Sequence, residues 1–513
     1  AEARVADLDR LSDAEILDIA NRAATLDERQ AISGEPVDND DMRKLSGERM
    51  EWWRRCAAGG NATYFAQRLK EEGLTETDAA RMTAGVPDWG DDLPDWASGL
   101  NKVMALLCAV DDNPPGKSSE TPFSPAFTAL GRSVITDAGY DDDTLFSDDA
   151  RDDLASAIVI RVTEIAIPSL FTNFATLRKL VETGAVEHDG SDIFKAYIAA
   201  LREGGFKRLF LERPVLVRLI AQETQRATVE MREARDRFHG DRDAVIEAYF
   251  SGRDPGAVTS VQTGLSDPHN SGRRVMIYGF ENGEKAVYKP RPLDIDAKWS
   301  ECIALMADRQ APVDLKSPAL LERDHYGWVG FIEHLPCKDE AEVRQFFRRS
   351  GAMLALVHLV RGRDYHAENV IASGAHPIAI DVETLCHPGP LKRQANPLLA
   401  QVEHKIDQSV MVTHYLTIRA GPKGAIAMGG LDLAKEVDIR FWQFENANTG
   451  EMTRRSKLMD ARDNFNLPVL DGEQIEASDY AEEVGSGYEE SLAFLLTLPE
   501  MQPGESSIPR LFE

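Results

Sequence analysis

Residues 364–381 read Asp-Tyr-His-Ala-Glu-Asn-Val-Ile-Ala-Ser-Gly-Ala-His-Pro-Ile-Ala-Ile-Asp. This stretch places a carboxylate, an amide and a second carboxylate at Asp364, Asn369 and Asp381, five and twelve residues apart. In kinases, a catalytic-loop Asp contacts the attacking hydroxyl, an Asn five residues later holds Mg²⁺, and a later Asp at a strand end holds Mg²⁺ against the phosphates. A short hairpin through Gly374 would return Asp381 to Asn369, so the stretch predicts an ATP-dependent phosphotransfer site.

The order Asp-x-His-x-x-Asn, with His366 inside the loop, is closer to lipid kinases than to the His-Arg-Asp order of protein kinases. A phosphotransferase also needs a fixed cation on the nucleotide phosphates. Lys289 is the candidate, because it ends an apolar strand that Pro290 stops. Taken singly, each of these polar residues could be a solvated or capping group. Their order along the chain favours a site.

The surrounding pattern predicts an α+β protein. Before about residue 250 the apolar residues fall mostly at helical spacing, and the acidic run 137–153 favours a solvated loop. From about residue 257 short alternating runs predict strands, including a hairpin around Glu281-Asn282-Gly283. We therefore predict a mainly helical region at 1–250, a kinase-like N-lobe at 251–345 and a kinase-like C-lobe at 346–513.

Composition excludes several classes of function. With 58 Lys and Arg against 86 Asp and Glu, the net charge of −28 argues against nucleic-acid binding and suits a cationic partner better. The five cysteines are scattered and form no C-x-x-C pair, which indicates neither a disulfide framework nor a zinc ribbon and favours a cytoplasmic protein. The longest apolar run, 154–171, is interrupted by Arg161, Glu164 and Pro168, so no membrane span and no signal peptide are expected.

These residues resemble a known family. Asp267-Pro268-His269 with Gly272, Val287-Tyr288-Lys289-Pro290-Arg291, Tyr326-Gly327-Trp328, the 364–369 loop and Ile380-Asp381-x-Glu383-Thr384-Leu385 are similar, in order and distance, to successive signatures of class II lanthipeptide synthetase dehydratases. The resemblance is specific over residues 255–390. It implies a lipid-kinase-like core with helical additions that phosphorylates Ser and Thr of a precursor peptide with ATP, and then eliminates phosphate to leave dehydroalanine or dehydrobutyrine.

The resemblance also implies residue roles. Lys289 would hold nucleotide phosphates, Asp364 would orient or deprotonate the hydroxyl with help from His366, and Asn369 and Asp381 would bind Mg²⁺. Asp267 and His269 would belong to the glycine-containing turn on the phosphate side. The partners implied are a precursor peptide, with a leader and a Ser/Thr-rich core, and a cyclase domain or protein.

Departures from the family's sequence motifs affect the second step, the elimination of phosphate. A carboxylate is lost at Gly330 and at Gly450, which puts substrate contacts or elimination in question more than ATP binding. Arg510 stands where an elimination motif of the form Arg, five residues, Thr should begin, and the sequence ends three residues later. The incomplete elimination motif leads us to expect an accumulation of phosphopeptide. The zinc-binding cyclase region of the full synthetases has no counterpart in this sequence, so we expect no ring closure by this chain alone. A kinase that stops at the phosphorylated product and a nucleotide-binding scaffold without turnover remain the alternatives.

Overall fold

The predicted hairpin lies at the centre of an antiparallel sheet in a computed structural model of the protein. Five strands pair in the order β1-β2-β3-β5-β4, with Met276 opposite Tyr288 across the hairpin. The strands are β1 Val258–Thr263, β2 Met276–Phe280, β3 Lys285–Lys289, β4 Leu320–Glu322 and β5 Gly327–Gly330. Lys289 is the last residue of β3, as the sequence predicts, and it pairs with Gly327 of β5.

The structure describes residues 9–31, 40–85, 89, 93–265, 267–387, 397–416, 419–420, 426–427, 429–431, 437–459, 465–504 and 509–512. The chain divides into two compact units. The first comprises Ala1–Asp143, Arg151–Glu233 and Asn446–Met452, and the second comprises Thr144–Ala150, Ala234–Glu445 and Thr453–Glu513. The α+β class is confirmed, whereas the three-part division and the two-lobed kinase-like arrangement stay predictions.

The chain before residue 250 is mainly helical, as its apolar spacing predicts. Ser12 and Thr75 begin helices with capping boxes, in which Glu15 and Asp78 bond back to the cap backbone. The helices are α1 Asp13–Ala23, α2 Leu26–Ala31, α3 Asp40–Ala58, α4 Ala62–Glu71, α5 Glu76–Ala84, α6 Asp95–Ser98, α7 Leu100–Cys108, α8 Thr128–Asp137, α9 Asp148–Glu182, α10 Ile193–Ala200, α11 Phe206–Glu212 and α12 Pro214–Phe250.

The loop predicted for the acidic run 137–153 is wrong over its second half, which forms the first turns of α9 from Asp148. Carboxylates are favoured at a helix N-terminus, because they compensate the positive end of the helix dipole. Like charges in sequence therefore did not prevent helix formation here.

Helix α9 is long and apolar enough to cross a membrane by length and composition, although the sequence predicted no span. Its apolar window is 56% buried within the protein. Its Arg161 is also buried, with ion pairs of 2.6 Å to both Glu223 and Glu230. This packing is that of a helix in the protein core.

Four further α-helices lie in the described part of the second unit. They are α13 Asp294–Asp308, α14 Glu340–Leu359, α15 Pro397–Asp407 and α16 Ala481–Leu495. Helices α14 and α16 pack backbone against backbone, since a Cβ at Gly351 would lie 2.1 Å from the Val484 carbonyl oxygen and one at Gly487 would lie 1.9 Å from that of Arg348. This close packing holds the end of α14, from which residues 361–369 emerge.

The remaining described strands form small antiparallel pairs. They are β6 Val370–Ser373 with β7 His376–Ala379, β8 Arg419–Ala420 with β9 Ile426–Ala427, β10 Val437–Glu445 with β11 Thr453–Met459, and β12 Val469–Leu470 with β13 Glu473–Gln474. The first of these pairs is the hairpin predicted between Asn369 and Asp381.

Candidate functional site

One cavity of the second unit, with a volume of about 610 Å³, is lined by seven of the eight site residues predicted from the sequence. They are Asp267, His269, Lys289, Asp364, His366, Asn369 and Asp381. Small-molecule sites in proteins are of this size, with a few polar groups converging in an otherwise apolar cleft. Residues spread over more than 100 positions of sequence therefore meet around one cavity of the size of small-molecule sites.

The eighth predicted residue, Arg510, is not among the residues lining this cavity. It begins a short 3₁₀ turn, Arg510–Phe512, its side chain is exposed, and its backbone N–H donates to Gln502 O at 3.1 Å. The structure thus does not place Arg510 with the other predicted residues. Its role in elimination stays a prediction.

The loop after α14 holds Asp364 in an uncommon backbone conformation. Asp364 has φ of 63°, a left-handed value that non-glycine residues adopt at a cost and that recurs at active sites. Asn369 supports it, because its Nδ2 donates to Asp364 O at 2.8 Å. Two imidazoles flank the carboxylate, with His366 Nε2 and His414 Nδ1 at 3.6 and 3.7 Å from Asp364 Oδ1. The carboxylate thus lines the cavity with two imidazole nitrogens close to the same oxygen.

The β6–β7 hairpin brings Asp381 back to Asn369. Val370 pairs with Ala379, and the Ile380 N–H donates to Asn369 O at 3.0 Å. Beneath the loop, Tyr365 is fully buried, and burial followed by the carboxylates of Asp381 and Asp296 raises the pKa of its hydroxyl far above the usual value. Tyr365 therefore stays protonated and cannot act as a base.

Lys289 extends from the end of β3 towards this hairpin. Its Nζ lies 3.2 Å from Asp296 Oδ1 and donates to Ile380 O at 2.8 Å. Lys289 and Asp296 are both almost completely buried, and Asp296 lies in the first turn of α13. A strand Lys paired with a helix carboxylate is also the arrangement that protein kinases require for activity.

The turn on the other side of the cavity carries Asp267 and His269. The backbones of His269 and Arg273 exchange two hydrogen bonds of 2.7 and 2.8 Å, which closes a tight turn. Asn270, Ser271 and Gly272 all have positive φ within it. Asn270 Nδ2 donates to Pro290 O at 3.2 Å, so the turn is tied to the strand end that carries Lys289.

Three charged residues of the site had no role predicted from the sequence. Arg291 contacts the carboxylates of Asp296, Asp381 and Glu383. Glu383 lies at the cavity, where its Oε2 is 3.8 Å from His269 Nδ1. In the sequence, Asp296 looks like an ordinary acidic residue at the start of a helix, so only its burial shows that it belongs to the site. Arg291 directly follows Lys289-Pro290, so its position next to that signature could have indicated it.

A metal ion at this site would depend on ligands besides protein carboxylates. Among the described residues, no group of three or more His, Cys, Asp and Glu residues could hold a metal ion. Asn369 and Asp381 nevertheless both line the cavity and each carries a side-chain oxygen donor, and Asp381 Oδ1 also accepts the Glu383 N–H at 3.2 Å. Mg²⁺ prefers oxygen ligands and is commonly held by one or two protein groups together with substrate phosphates and water. The donor set fits Mg²⁺ bound with a nucleotide.

Asp296→Asn is expected to destabilise the second unit. Removing the carboxylate leaves Lys289 and Arg291 buried without their shared partner, a loss that typically costs about 3–5 kcal/mol. We expect a lower urea midpoint by circular dichroism. Asp294→Asn is the matched control, since Asp294 is exposed in the same helical turn. Equal midpoints for the two variants would show that the buried network contributes little to stability.

The fold and the cavity define an α+β protein with a candidate small-molecule site. The chain belongs to the family described as Domain of unknown function (DUF4135), which matches residues 214–510, more than half of its length. All seven cavity residues predicted from the sequence fall inside the match. The family therefore covers the candidate site.

A segment of 162 residues is also 29% identical to a protein of Lactococcus lactis subsp. lactis described as "Lacticin 481/lactococcin biosynthesis protein LcnDR2". The match spans 30% of this chain and 17% of that relative's length. Together the two matches confirm the resemblance to class II lanthipeptide synthetases.

Proposed function

We propose that this chain phosphorylates Ser and Thr residues of a lanthipeptide precursor with ATP and Mg²⁺, and then eliminates phosphate to form dehydroalanine or dehydrobutyrine. The observation that carries the proposal is the convergence of Lys289, Asp364, Asn369 and Asp381 on one cavity. The name of the Lactococcus relative, a lacticin biosynthesis protein, supports a precursor peptide as the substrate.

The cavity lining combines apolar side chains with nitrogen-bearing ones, which suggests how ATP would bind. Val287, Val329 and Ile332 offer apolar contacts suited to a base, whereas His269 and Lys289 offer nitrogen groups suited to phosphates, with Asp267 in the turn that carries His269. Ile332 lies two residues after the end of β5, so its backbone can also contribute hydrogen bonds. The γ-phosphate would then face Asp364 and Asn369.

In the first step, the oxygen of the peptide hydroxyl bonds to the γ-phosphorus while the bond from that phosphorus to the departing ADP breaks. Asp364 accepts the proton of the hydroxyl. Lys289 neutralises charge on the phosphates, and His366 lies within reach of the Asp364 carboxylate. Bound Mg²⁺, held by Asn369 and Asp381, would supply further charge neutralisation on the phosphate oxygens.

In the second step, a base removes the proton from Cα while the Cβ–O bond breaks, so that a Cα=Cβ double bond forms and phosphate leaves. Phosphorylation is a sensible preparation, because phosphate is a far better leaving group than hydroxide. Arg510 is the proposed cation for the departing phosphate. The second candidate function is a kinase whose reaction ends at the phosphopeptide. It is favoured because Arg510 is exposed and is not among the residues lining the cavity.

The proposed setting is cytoplasmic, with a leader-bearing precursor peptide and a cyclase domain or protein as partners. All five cysteines are free thiols in the structure, which suits a reducing compartment. The net charge of −28 suits a cationic segment of a partner.

Intact mass spectrometry tests the proposal directly. The chain is incubated with a candidate precursor peptide, ATP and Mg²⁺. Phosphorylation adds about 80 Da per site, whereas completed dehydration removes about 18 Da. The dehydrated mass supports both steps, the phosphorylated mass alone supports the kinase alternative, and no mass change with any of a panel of lanthipeptide precursors contradicts the proposal.

Asp381→Ala is expected to raise the Mg²⁺ concentration needed for half-maximal phosphorylation by roughly tenfold or more, because one protein ligand of the ion is removed. A Mg²⁺ titration of the peptide phosphorylation rate measures this. Asp471→Ala, at an exposed turn between β12 and β13, controls for loss of an acidic side chain. A titration curve identical to that of the unmodified chain would remove Asp381 from the metal site.

A further inference from the structure

Arg291 is a buried side chain at the centre of a charge network beside the cavity. Its guanidinium donates to Asp296 Oδ2 at 2.6 Å, and its Nη2 and Nε lie 3.4 Å from Asp381 Oδ1 and 3.5 Å from Glu383 Oε2. Its side chain is only 9% exposed. One arginine therefore contacts three carboxylates that come from two separate segments of the chain.

The charge balance of this network is unequal. Lys289 and Arg291 supply two positive charges, and Asp296, Asp381 and Glu383 supply three negative ones, which leaves one net negative charge. Burial alone would lower the pKa of Arg291, but Asp296 above all, with Asp381 and Glu383, raises it above its usual value. Arg291 thus stays charged, and the network retains an attraction for a further cation.

Only a guanidinium can make these contacts together. Its planar fork presents five N–H donors in fixed directions, whereas a lysine ammonium at the same place is a compact point charge on a flexible stem. Asp296 is anchored in α13 and also binds Lys289. It fixes the Arg291 guanidinium, whose Nη2 and Nε also reach Asp381 and Glu383.

We infer that Arg291 is a positioning residue that holds Asp381 and Glu383 in place for the metal–nucleotide complex. This inference rests on the proposed function, in which Asp381 is a ligand of the metal ion. Arg291 contacts neither ATP nor the peptide in this role. It acts through the two carboxylates, as groups behind metal ligands commonly do.

Arg291→Lys tests the inference, because it keeps the charge and removes the fork. Isothermal titration calorimetry of the full chain measures the affinity for adenylyl imidodiphosphate, once with Mn²⁺ and once with EDTA. The ratio of the two affinities isolates the metal-dependent part of binding. We expect Arg291→Lys to reduce this ratio by about tenfold while the affinity in EDTA changes by less than about threefold.

The matched control is Arg323→Lys in the same unit. Arg323 pairs with Asp241 at 2.7 Å and is not among the residues lining the cavity, so its replacement reports the general effect of exchanging an ion-paired arginine. Circular dichroism verifies that each variant is folded. If Arg291→Lys does not fold, Arg291→Gln is measured instead, with an expected reduction of the ratio at least as large.

The outcomes separate the two proposals. If the unmodified chain binds the analogue more tightly with Mn²⁺ and Arg291→Lys shows the same ratio, the inference is overturned and the proposed function stands. An equal loss of affinity with Mn²⁺ and with EDTA also overturns it, since that result assigns Arg291 to the nucleotide or to folding. If Mn²⁺ does not strengthen binding of the analogue to the unmodified chain, the result contradicts both the proposed metal site and the inference.

Discussion

Replacing Asp364 by asparagine is expected to reduce peptide phosphorylation by on the order of 10³-fold, equivalent to about 4 kcal/mol of barrier. The change removes the group that accepts the hydroxyl proton and keeps nearly the same shape. Asparagine also tolerates the left-handed backbone that Asp364 adopts at φ of 63°, so the loop should retain its conformation. Alanine would confound the result, because it lacks the local hydrogen bonds that stabilise this conformation.

A matched control exists at Asp471, which is also a left-handed aspartate, with φ of 52°, but lies in an exposed turn. Asp471→Asn should phosphorylate at the rate of the unmodified chain. The rate is followed by radiolabelled phosphate transfer from ATP to the peptide. Near-normal transfer by a folded Asp364→Asn variant would exclude Asp364 as the proton acceptor.

Lys289→Met is expected to reduce phosphorylation by roughly 10²–10³-fold, because the fixed cation on the nucleotide phosphates is lost in a water-poor site. Methionine has a similar length, so the space that Lys289 fills at the end of β3 stays occupied. Asp296 keeps its 2.6 Å contact with Arg291 in the variant, and the buried carboxylate is therefore not left without a partner. We expect the thermal midpoint to fall by only a few degrees.

Lys298→Met is the control, since Lys298 lies on α13 and pairs with Glu301 at 2.8 Å on the surface. It should affect neither rate nor stability. Analogue binding by calorimetry provides a second measurement for Lys289→Met. If both the binding and the rate of this variant match those of the unmodified chain, Lys289 does not contact the phosphates.

Local patterns in the sequence were sufficient for the strands and helices around the site. The alternation on either side of Glu281-Asn282-Gly283 predicted the β2–β3 hairpin, and the Gly374 turn predicted the β6–β7 hairpin. Such elements depend on residues close together in the chain, and their turn residues and the spacing of their apolar residues can be recognised in the sequence. The acidic run was the exception, since charge spacing does not tell a loop from a helix N-terminus.

The candidate site was predictable as far as its residues follow a known order along the chain. Seven of the eight predicted side chains line the cavity, because each lies at the end of a strand or in a turn whose position the pattern sets. Arg510 was predicted from its place in a motif alone. Its exposed position goes with the hydrogen bond from its backbone N–H to Gln502 O, a contact that no local pattern records.

By itself, the sequence determined the helical half, the hairpins and the identity of the groups at the strand ends. Only the tertiary structure decided that Glu383 and the buried residues Arg291 and Asp296 join those groups in one charge network. The physical reason is that the sequence does not show whether a charged residue is surrounded by water or by protein. Its effect on neighbouring charges depends on burial and on partners distant in the chain, and both arise only when the chain has folded.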